Sequence, residues 1–301
     1  MDARAVRVSA FDVAVVGAPF LDLTFAGLPR VPGPGEEVVA RELHVGPGGT
    51  GMQAIGAARL GLSAALVSPI GDDPAGDVLR TMLSADGVEW IGRRTGSTAT
   101  TAILSTPDGS AMATAFDETE PTEQDVAAVD AKAFVLSLGR LHLRPRNAMA
   151  YATTGGIELD AGARLETVSF DGVRALIVNE HEAQRMTASN DASSAARALA
   201  DRVECVVVTL GPDGALGLER GREVRADAPA VEAVDATGAG DLFVPAYVWA
   251  DVNALDLEGR VEWAALYAGL SVRAPTALDG ALRLDELLAE GERRGLIASG
   301  P

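Results

Sequence analysis

Three small residues and a carboxylate in the C-terminal third of the chain form a pattern that suits phosphate binding or phosphoryl transfer. Gly238, Ala239 and Gly240 form a glycine-rich turn that is followed at once by Asp241 and an apolar helical stretch. Glycine permits a tight turn and a close backbone approach, and the first N–H groups of the following helix point back at that turn with the positive end of the helix dipole. The pattern therefore predicts a binding site for a phosphate, or for the charge that develops during phosphoryl transfer.

Asp241 has two interpretations at the start of this helix. An acid in the first helical turn stabilises the helix by its charge alone. Beside an anion-binding turn, the same carboxylate could instead take a proton from an attacking hydroxyl. We favour the general-base role for Asp241, whereas Asp235, earlier in the same stretch, is either a turn residue or a functional one.

The elements that must position these residues form an alternation of strands and helices. Short apolar runs predict strands at 13–17, 64–70, 134–138, 175–180 and 205–211, and helical patterns occupy 52–60, 74–85, 193–201, 240–250, 261–270 and 284–294. Such an alternation indicates parallel strands joined by crossover helices. The expected fold class is α/β, with a doubly wound, mainly parallel sheet flanked by helices in a single domain over residues 1–301.

Two segments break that alternation. Residues 36–45 and 97–116 mix β-forming residues with small polar ones, and the PDG sequence at 107–109 predicts a hairpin turn. We expect a small antiparallel β lid, inserted as segments of about 24–46 and 96–117. Because an exposed half-sheet must be covered by something, the lid could also form the interface of a homodimer.

Composition excludes several classes of protein. The formal net charge of −18 repels nucleic acid and anionic membranes, so neither is expected as a partner. Lys132 is the only lysine, which argues against a P-loop and against a pyridoxal-phosphate enzyme, since each needs a lysine at a defined position. Cys205 is the only cysteine, so no internal disulfide is expected. No signal peptide or spanning segment is recognisable, and we therefore expect a cytoplasmic protein.

Six motifs follow one another over nearly the whole chain. They are VVGAPFLDL (15–23), the glycine-containing stretch 32–61, IGDDPAGDVL (70–79), NEHE (179–182), TLGPDG (209–214) and DATGAGD (235–241). In this order they resemble the motifs of the ribokinase-like (PfkB) carbohydrate kinases. The resemblance implies an ATP- and Mg²⁺-dependent kinase that phosphorylates a hydroxyl of a sugar or a sugar-containing metabolite.

The resemblance also implies a role for each group of site residues. Asp241 would be the general base, and the N–H groups of 239–241 would form the anion hole. The acceptor side would consist of Asp22, Gly48, Gly49 and Gln53. The nucleotide side would consist of Thr209, Gly211 and Gly214. Asn179 and Glu182 would organise Mg²⁺ through water, although the same pair also fits a helix capping box. A monovalent-cation site near 271–280 stays open.

The chain departs from the family pattern at several places near the site, among them Ala236, Thr50, Gln53 and the pair Val244 and Pro245. Family members carry an asparagine four residues after the second glycine of the Gly-Gly pair, where this chain has Gln53. Because the helix behind is one residue short of the usual spacing, Met52 is the alternative occupant. Pro245 removes an early hydrogen bond of its helix and could shift or bend the helix start. The acceptor could therefore be a hexose, a pentose, a phosphorylated sugar or a nucleoside.

Three other functions compete with a sugar kinase. A nucleoside kinase of the same fold, and a non-catalytic sugar- or nucleotide-binding module, share the same motifs, and only turnover would separate the module from an enzyme. A dinucleotide-binding oxidoreductase would use GTGMQA (49–54) as its G-x-G-x-x-A turn. That turn should follow the first buried strand directly, whereas the first strand here runs into Ala18, so the context disfavours this alternative.

Overall fold

The computed structural model describes residues 11–115, 120–146, 148–155, 159–160 and 168–298, and within them the strands form two sheets. The larger sheet consists of β1 (Phe11–Val16), β4 (Ala64–Val67), β5 (Glu89–Ile91), β8 (Ala131–Ser137), β9 (Met149–Thr153), β10 (Val173–Asn179), β11 (Cys205–Thr209), β12 (Ala215–Glu219) and β13 (Arg222–Ala226). Its strand order is β13-β12-β11-β10-β9-β8-β1-β4-β5.

Most neighbours in the larger sheet are parallel. Val13 in β1 pairs with Ala64 on one side and with Ala133 on the other, both in parallel register. Only the last two pairings, β11 with β12 and β12 with β13, are antiparallel. The apolar runs of the parallel strands are buried on both faces, as a sheet covered on both sides requires. The mainly parallel sheet expected from the sequence is therefore confirmed.

Helices cover both faces of this sheet. Within the described residues they are α1 (Thr50–Arg59), α2 (Pro74–Ala85), α3 (Glu123–Ala127), α4 (Glu180–Thr187), α5 (Ala192–Ala200), α6 (Ala239–Val252), α7 (Leu257–Ser271), α8 (Ala277–Gly280) and α9 (Leu284–Arg293). Short 3₁₀ helices occupy Leu138–Leu143 and Gly211–Asp213. No helix in this part of the chain is long and apolar enough to span a bilayer.

The hydrophobic core is split into two layers by the sheet. Side chains of a strand alternate between its faces. Val13 and Val15 accordingly pack in the layer covered by α1, α6 and α7, whereas Ala14 and Val16 pack in the layer covered by α4 and α5. Helices on both faces of one parallel sheet make the fold doubly wound, as expected.

A second, smaller sheet is formed by β2 (Pro19–Ala26), β3 (Glu42–Gly49), β6 (Thr100–Thr106) and β7 (Gly109–Ala115), in the order β3-β2-β6-β7. We call it the lid sheet. Two of its pairings are antiparallel and one, β2 with β6, is parallel. The predicted hairpin turn is present, since Thr106 pairs with Gly109. The strand expected at 36–45 begins only at Glu42, because the last residue of β2, Ala26, pairs with Glu42 and leaves 36–41 without a partner strand.

Helix α6 is buried on almost all sides, so the position of its first turn is fixed by packing. Every residue from 242 to 250 is buried, as befits a helix that is apolar on all faces. The helix begins at Ala239, directly after Gly238, and continues through Pro245 to Val252. The proline therefore does not move the helix start away from the glycine-rich turn.

Candidate active site

A cleft of about 500 Å³ lies where the larger sheet meets the lid sheet. Its floor includes Thr153, Asn179 and Thr209, the last residues of the parallel strands β9, β10 and β11. Ligands of open α/β sheets bind at the carboxyl ends of the strands, so this is the expected position for an active site.

This one cleft is lined by most of the residues that the sequence predicts for the site. They are Asp22, Gly49, Gln53, Asn179, Glu182, Thr209, Gly238, Gly240 and Asp241. The lid sheet contributes the first two, because Gly49 is the last residue of β3, and α1 contributes Gln53. The last three lie at the start of α6. Motifs that are far apart in the sequence are thus brought together around a single cavity.

Four predicted residues lie beside the cleft rather than on its wall. Gly48 lies beneath the carboxylate of Asp22, and Ala239 is the first residue of α6. Gly211 is exposed and Gly214 buried in the turn that joins β11 to β12, just beyond Thr209. Contact between these two glycines and a nucleotide stays a prediction.

Asp241 lies in the first turn of α6 and is held from the neighbouring helix. The side-chain amide of Gln53 donates a hydrogen bond from Nε2 to Asp241 Oδ1, over 2.9 Å. Burial raises the pKa of Asp241 above its ordinary value, and the hydrogen bond from Gln53 opposes that rise. A carboxylate with a raised pKa accepts a proton more readily near neutral pH, which suits a general base.

The helix start beside Asp241 carries no side-chain cap. Gly238 has φ 86°, a left-handed conformation that suits glycine, and an added Cβ would lie 2.8 Å from Met52 Sδ. At Gly240 an added Cβ would meet no atom within 4 Å, so the space over the helix start is open. The N–H of Ala239, predicted to belong to the anion hole, donates to the carbonyl of Ala236 over 3.2 Å in this structure.

A second carboxylate, Asp22 on β2, faces the cleft from the lid sheet. It pairs with Thr101 of β6, and Thr101 pairs in turn with Thr114 of β7. Thr101 donates a hydrogen bond to Asp22, and the hydroxyls of Thr101 and Thr114 are 3.1 Å apart. Burial, and then the nearby charge of Asp241, raise the pKa of Asp22 to about 6, while the Thr101 hydrogen bond opposes them. The cleft therefore has two interacting carboxylates.

Asn179 and Glu182 form a reciprocal capping box at the start of α4. The backbone N–H of Asn179 donates to Glu182 Oε2 over 2.9 Å, and the N–H of Glu182 donates to Asn179 Oδ1 over 2.8 Å. Both side chains also line the cleft. The residues that the structure describes contain no group of three or more His, Cys, Asp or Glu side chains that could hold a metal.

Asp235 is buried beside a small cavity of about 30 Å³. Its Oδ1 accepts a hydrogen bond from the N–H of Thr237 over 2.7 Å. Its Oδ2 is buried without a hydrogen-bond partner among the residues that the structure describes. The cavity is also lined by Pro275, Thr276 and Ala277, which belong to the segment left open as a cation site.

Several lid residues on the cleft wall were missed from the sequence: Thr101, Ile103, Met112 and Thr114. A signal for them exists. With the hairpin turn placed at 107–108, the antiparallel register pairs Thr101 with Thr114 and Ile103 with Met112. The sequence does not reveal which face of this hairpin points to the cleft, because that depends on the parallel pairing of β6 with β2.

The family profile described as pfkB family carbohydrate kinase matches residues 11–282. A deoxyribokinase of Salmonella typhi is 28% identical in a 284-residue alignment that covers 87% of this chain and 92% of that protein. A ribokinase of Mus musculus is 30% identical in a 288-residue alignment that covers 87% of this chain and 89% of the relative. The ribokinase of Arabidopsis thaliana complexed with ribose and ATP superposes with a TM-score of 0.78 at 23% identity over 93% of this chain and 98% of that chain, so the two share a fold.

Proposed function

The chain belongs to the pfkB family of carbohydrate kinases, phosphotransferases that act on an alcohol group, and from this premise we propose that it transfers the γ-phosphoryl group of ATP to a hydroxyl of an uncharged sugar or nucleoside. The observation that carries the proposal is the position of Asp241, which lies in the first turn of an uncapped helix and shares one cleft with Asp22. A hydroxyl bound between the two carboxylates would lie beside both a base and an anion-binding helix start.

In the proposed reaction, Asp241 takes the proton of the acceptor hydroxyl. Gln53 occupies Oδ1, so the proton goes to Oδ2. The hydroxyl oxygen forms a bond to the γ-phosphorus while the bond to the β-phosphate oxygen breaks, and ADP leaves with that electron pair. The N–H groups of Gly240 and Asp241 stabilise the charge on the transferring group. The protein contributes position and electrostatics rather than a covalent intermediate.

The acceptor side of the cleft supports an uncharged substrate. Asp22 would accept hydrogen bonds from acceptor hydroxyls. Asp22, Glu182 and Asp241 are acidic, and none of the described residues on the cleft wall is Lys, Arg or His. A phosphorylated acceptor would therefore meet repulsion from these carboxylates, and no cationic side chain among the described wall residues would offset it.

The two adjacent arginines nearest in sequence to the lid segments are engaged elsewhere. Arg93 is paired with Asp125, and Arg94 is paired with Asp72 and Asp77. None of these residues lines the cleft as the structure describes it. They therefore do not favour a phosphorylated acceptor.

A nucleoside is the second candidate acceptor. Phe20, Ile103 and Met112 give the lid side of the cleft an apolar wall next to the polar row of Asp22 and Thr101. A heteroaromatic base could pack on that wall while the ribose hydroxyls face the carboxylates. The panel of acceptors described below separates the two classes.

The proposed cofactor sites use residues that the structure brings to the cleft or beside it. Thr209, with the turn that contains Gly211 and Gly214, would bound the nucleotide side. Asn179 and Glu182 fit an indirect Mg²⁺ site, because both line the cleft and carry side-chain oxygens of the kind that accept hydrogen bonds from metal-coordinated water. Bound Mg²⁺ would neutralise phosphate charge.

A monovalent cation fits the buried oxygen of Asp235 that has no hydrogen-bond donor among the described residues. Asp235 Oδ2 and the 275–277 segment border one small cavity, and an oxygen ligand without a donor is what a hard cation requires. The cation would stabilise the loop that precedes the glycine-rich turn.

We also propose a homodimer through the outer face of the lid sheet. This face carries two apolar rows, Val45-Leu23-Ala102-Ala113 and Leu43-Phe25-Leu104-Ala111, and none of these eight residues is fully buried. A partly exposed apolar sheet face of this kind favours association with a second copy.

Release of ADP from Mg-ATP tests the proposed function, measured against free sugars, nucleosides and sugar phosphates. We expect turnover with a free sugar or a nucleoside, no turnover with the sugar phosphates, and loss of turnover in Asp241→Asn with nucleotide binding retained. Asp285→Asn is the matched control, because Asp285 is an exposed acid in the first turn of α9. Sugar or nucleoside binding without any turnover would show a binding module instead of a kinase.

A further inference from the structure

Helices α1 and α6 approach each other unusually closely next to the proposed base. A Cβ added to Gly56 would lie 2.8 Å from Pro245 Cγ and 3.0 Å from Leu242 Cδ2. The proline ring therefore fills the space over Gly56, and any larger residue at position 56 would push the two helices apart.

The hydrogen bond between Gln53 and Asp241 lies on the same seam. Residues three or four apart share one face of a helix, so Gln53 and Gly56 project from one face of α1, and Asp241 and Pro245 from one face of α6. Gln53 is 7% exposed, and its Nε2 reaches Asp241 Oδ1 over 2.9 Å. The packing of Pro245 on Gly56 thus sets the distance over which Gln53 reaches the carboxylate.

Gln53 and Asp241 differ in that only the aspartate can titrate. The amide of Gln53 donates a hydrogen bond and does not titrate, so it engages one oxygen of Asp241, a residue that lines the cleft, and leaves the other oxygen to accept a proton. A hydrogen bond of this kind favours the ionised form of the carboxylate, against the effect of burial on its pKa. The other titratable side chains on the described cleft wall are Asp22 and Glu182, and the charge of Asp241 contributes to the raised pKa of Asp22.

We infer that Gln53 is a positioning residue that orients Asp241 as a proton acceptor, and that the contact between Gly56 and Pro245 holds it in reach. Two of the departures from the family pattern, Gln53 and Pro245, then form one arrangement across the α1–α6 seam. This inference rests on the proposed function, in which Asp241 is the base.

Titration of the Asp241 carboxyl tests the inference without knowledge of the acceptor. In protein labelled with ¹³C-aspartate, the Asp241 signal is identified as the one that disappears in Asp241→Asn. Gln53→Met keeps the length of the side chain and removes the donor, and we expect it to raise the midpoint of that signal by about one pH unit. With ribose, 2-deoxyribose and adenosine as acceptors, the acidic limb of kcat should move by the same amount, with little change in acceptor KM.

A second set of variants tests the seam itself and leaves Gln53 in place. Gly56→Ala should move the same midpoint upward, and Pro245→Ala combined with it should bring the midpoint part of the way back, because the added methyl group then has room. Far-UV circular dichroism and the melting temperature check that each variant is folded. An unchanged midpoint in both Gln53→Met and Gly56→Ala, or a rise in acceptor KM with an unchanged pH profile, would overturn the inference and return Gln53 to acceptor binding.

Failure of the proposed function is a separate result. If Asp241→Asn retains turnover, Asp241 is not the base, whatever its titration shows. If Asp241→Asn loses turnover while Gln53→Met titrates like the unmodified protein, the base assignment stands and the positioning role of Gln53 is wrong.

Discussion

Asp22 Oδ2 lies 2.0 Å from the position that a Cβ on Gly48 would occupy. The carboxylate proposed to bind the acceptor therefore rests directly against the backbone of β3, and Gly48 is the residue that makes room for it. Gly48 does not line the cleft itself. Its predicted part in acceptor binding is thus better explained by the position of Asp22 than by a direct contact.

Gly48→Ala should weaken acceptor binding by displacing Asp22. No real Cβ contact is as short as 2.0 Å, and Thr101 holds the Asp22 carboxylate by a hydrogen bond, so the carboxylate must move or the strands must separate. We expect acceptor KM to rise about tenfold while ATP KM changes little, since only the acceptor contact is altered. Gly46→Ala is the matched control, because a methyl group there meets no atom within 4 Å. An equal rise of acceptor KM in both variants would show that displacement of Asp22 is not its cause.

Asp22 should destabilise the protein above about pH 6. Its pKa is raised from 3.8 to about 6 in the folded state, so the folded protein holds a proton that the unfolded chain has released between these values. The ionisation of Asp22 does not affect the free energy of unfolding below pH 3.8. It lowers that free energy by at most about 3 kcal/mol once the pH has risen through 6.

Asp22→Asn should therefore raise the melting temperature at pH 8, and the gain should disappear near pH 4, while acceptor binding is lost. Thermal unfolding across this pH range measures the effect. Asp108→Asn, in the exposed hairpin turn of the lid sheet, is the control and should show no such dependence. A gain of equal size at both pH values would show that the ionisation of Asp22 is not its cause.

The strands and helices that position the site were largely predictable, because long apolar runs and regular spacing identify them. Strands β2 and β9, which both border the cleft, were not predicted; in β9 the sequence MAYAT is short and two of its five residues are alanine. Strand β3 was predicted too early, because the β-like pattern from residue 36 carries no information on where its partner strand ends. Register between distant segments is a tertiary property, and a single sequence does not contain it in readable form.

The site residues were predicted by their motifs, but their contacts were not. The amide of Gln53 was expected on the acceptor, whereas in the structure it is bonded to Asp241. That contact depends on the distance between α1 and α6, which Gly56 and Pro245 set by packing. Neither Gly56 nor Pro245 has a reactive or hydrogen-bonding side chain, so the sequence does not indicate that they contact each other.

Removal of the buried oxygen of Asp235 should abolish activation by a monovalent cation. Asp235→Asn can keep the oxygen that accepts from the N–H of Thr237 and replaces Oδ2 with an amide group, which does not bind a cation. We expect K⁺ to raise turnover of the unmodified protein and to leave Asp235→Asn unchanged. Glu232→Gln, an exposed acid in the same stretch, should respond like the unmodified protein. Turnover independent of K⁺, Na⁺ and Rb⁺ in the unmodified protein would contradict the site.

The apolar outer face of the lid sheet should hold two copies of the chain together. Leu43 and Val45, at the edge of that face, are 56% and 39% exposed, and burial of such side chains is worth about 1.5–3 kcal/mol each when it is complete. Sedimentation velocity should therefore give twice the 30.9 kDa mass of one chain.

Leu43→Lys places a charge in each copy of the interface and should shift the protein to the monomer. Ile297→Lys, an equally drastic change at an exposed residue outside the lid sheet, should leave the dimer intact. Because the opposite face of the same four strands carries Asp22 and Thr101, loss of the dimer should also loosen the acceptor side and raise acceptor KM. A monomer at micromolar concentration in the unmodified protein would contradict this use of the outer face.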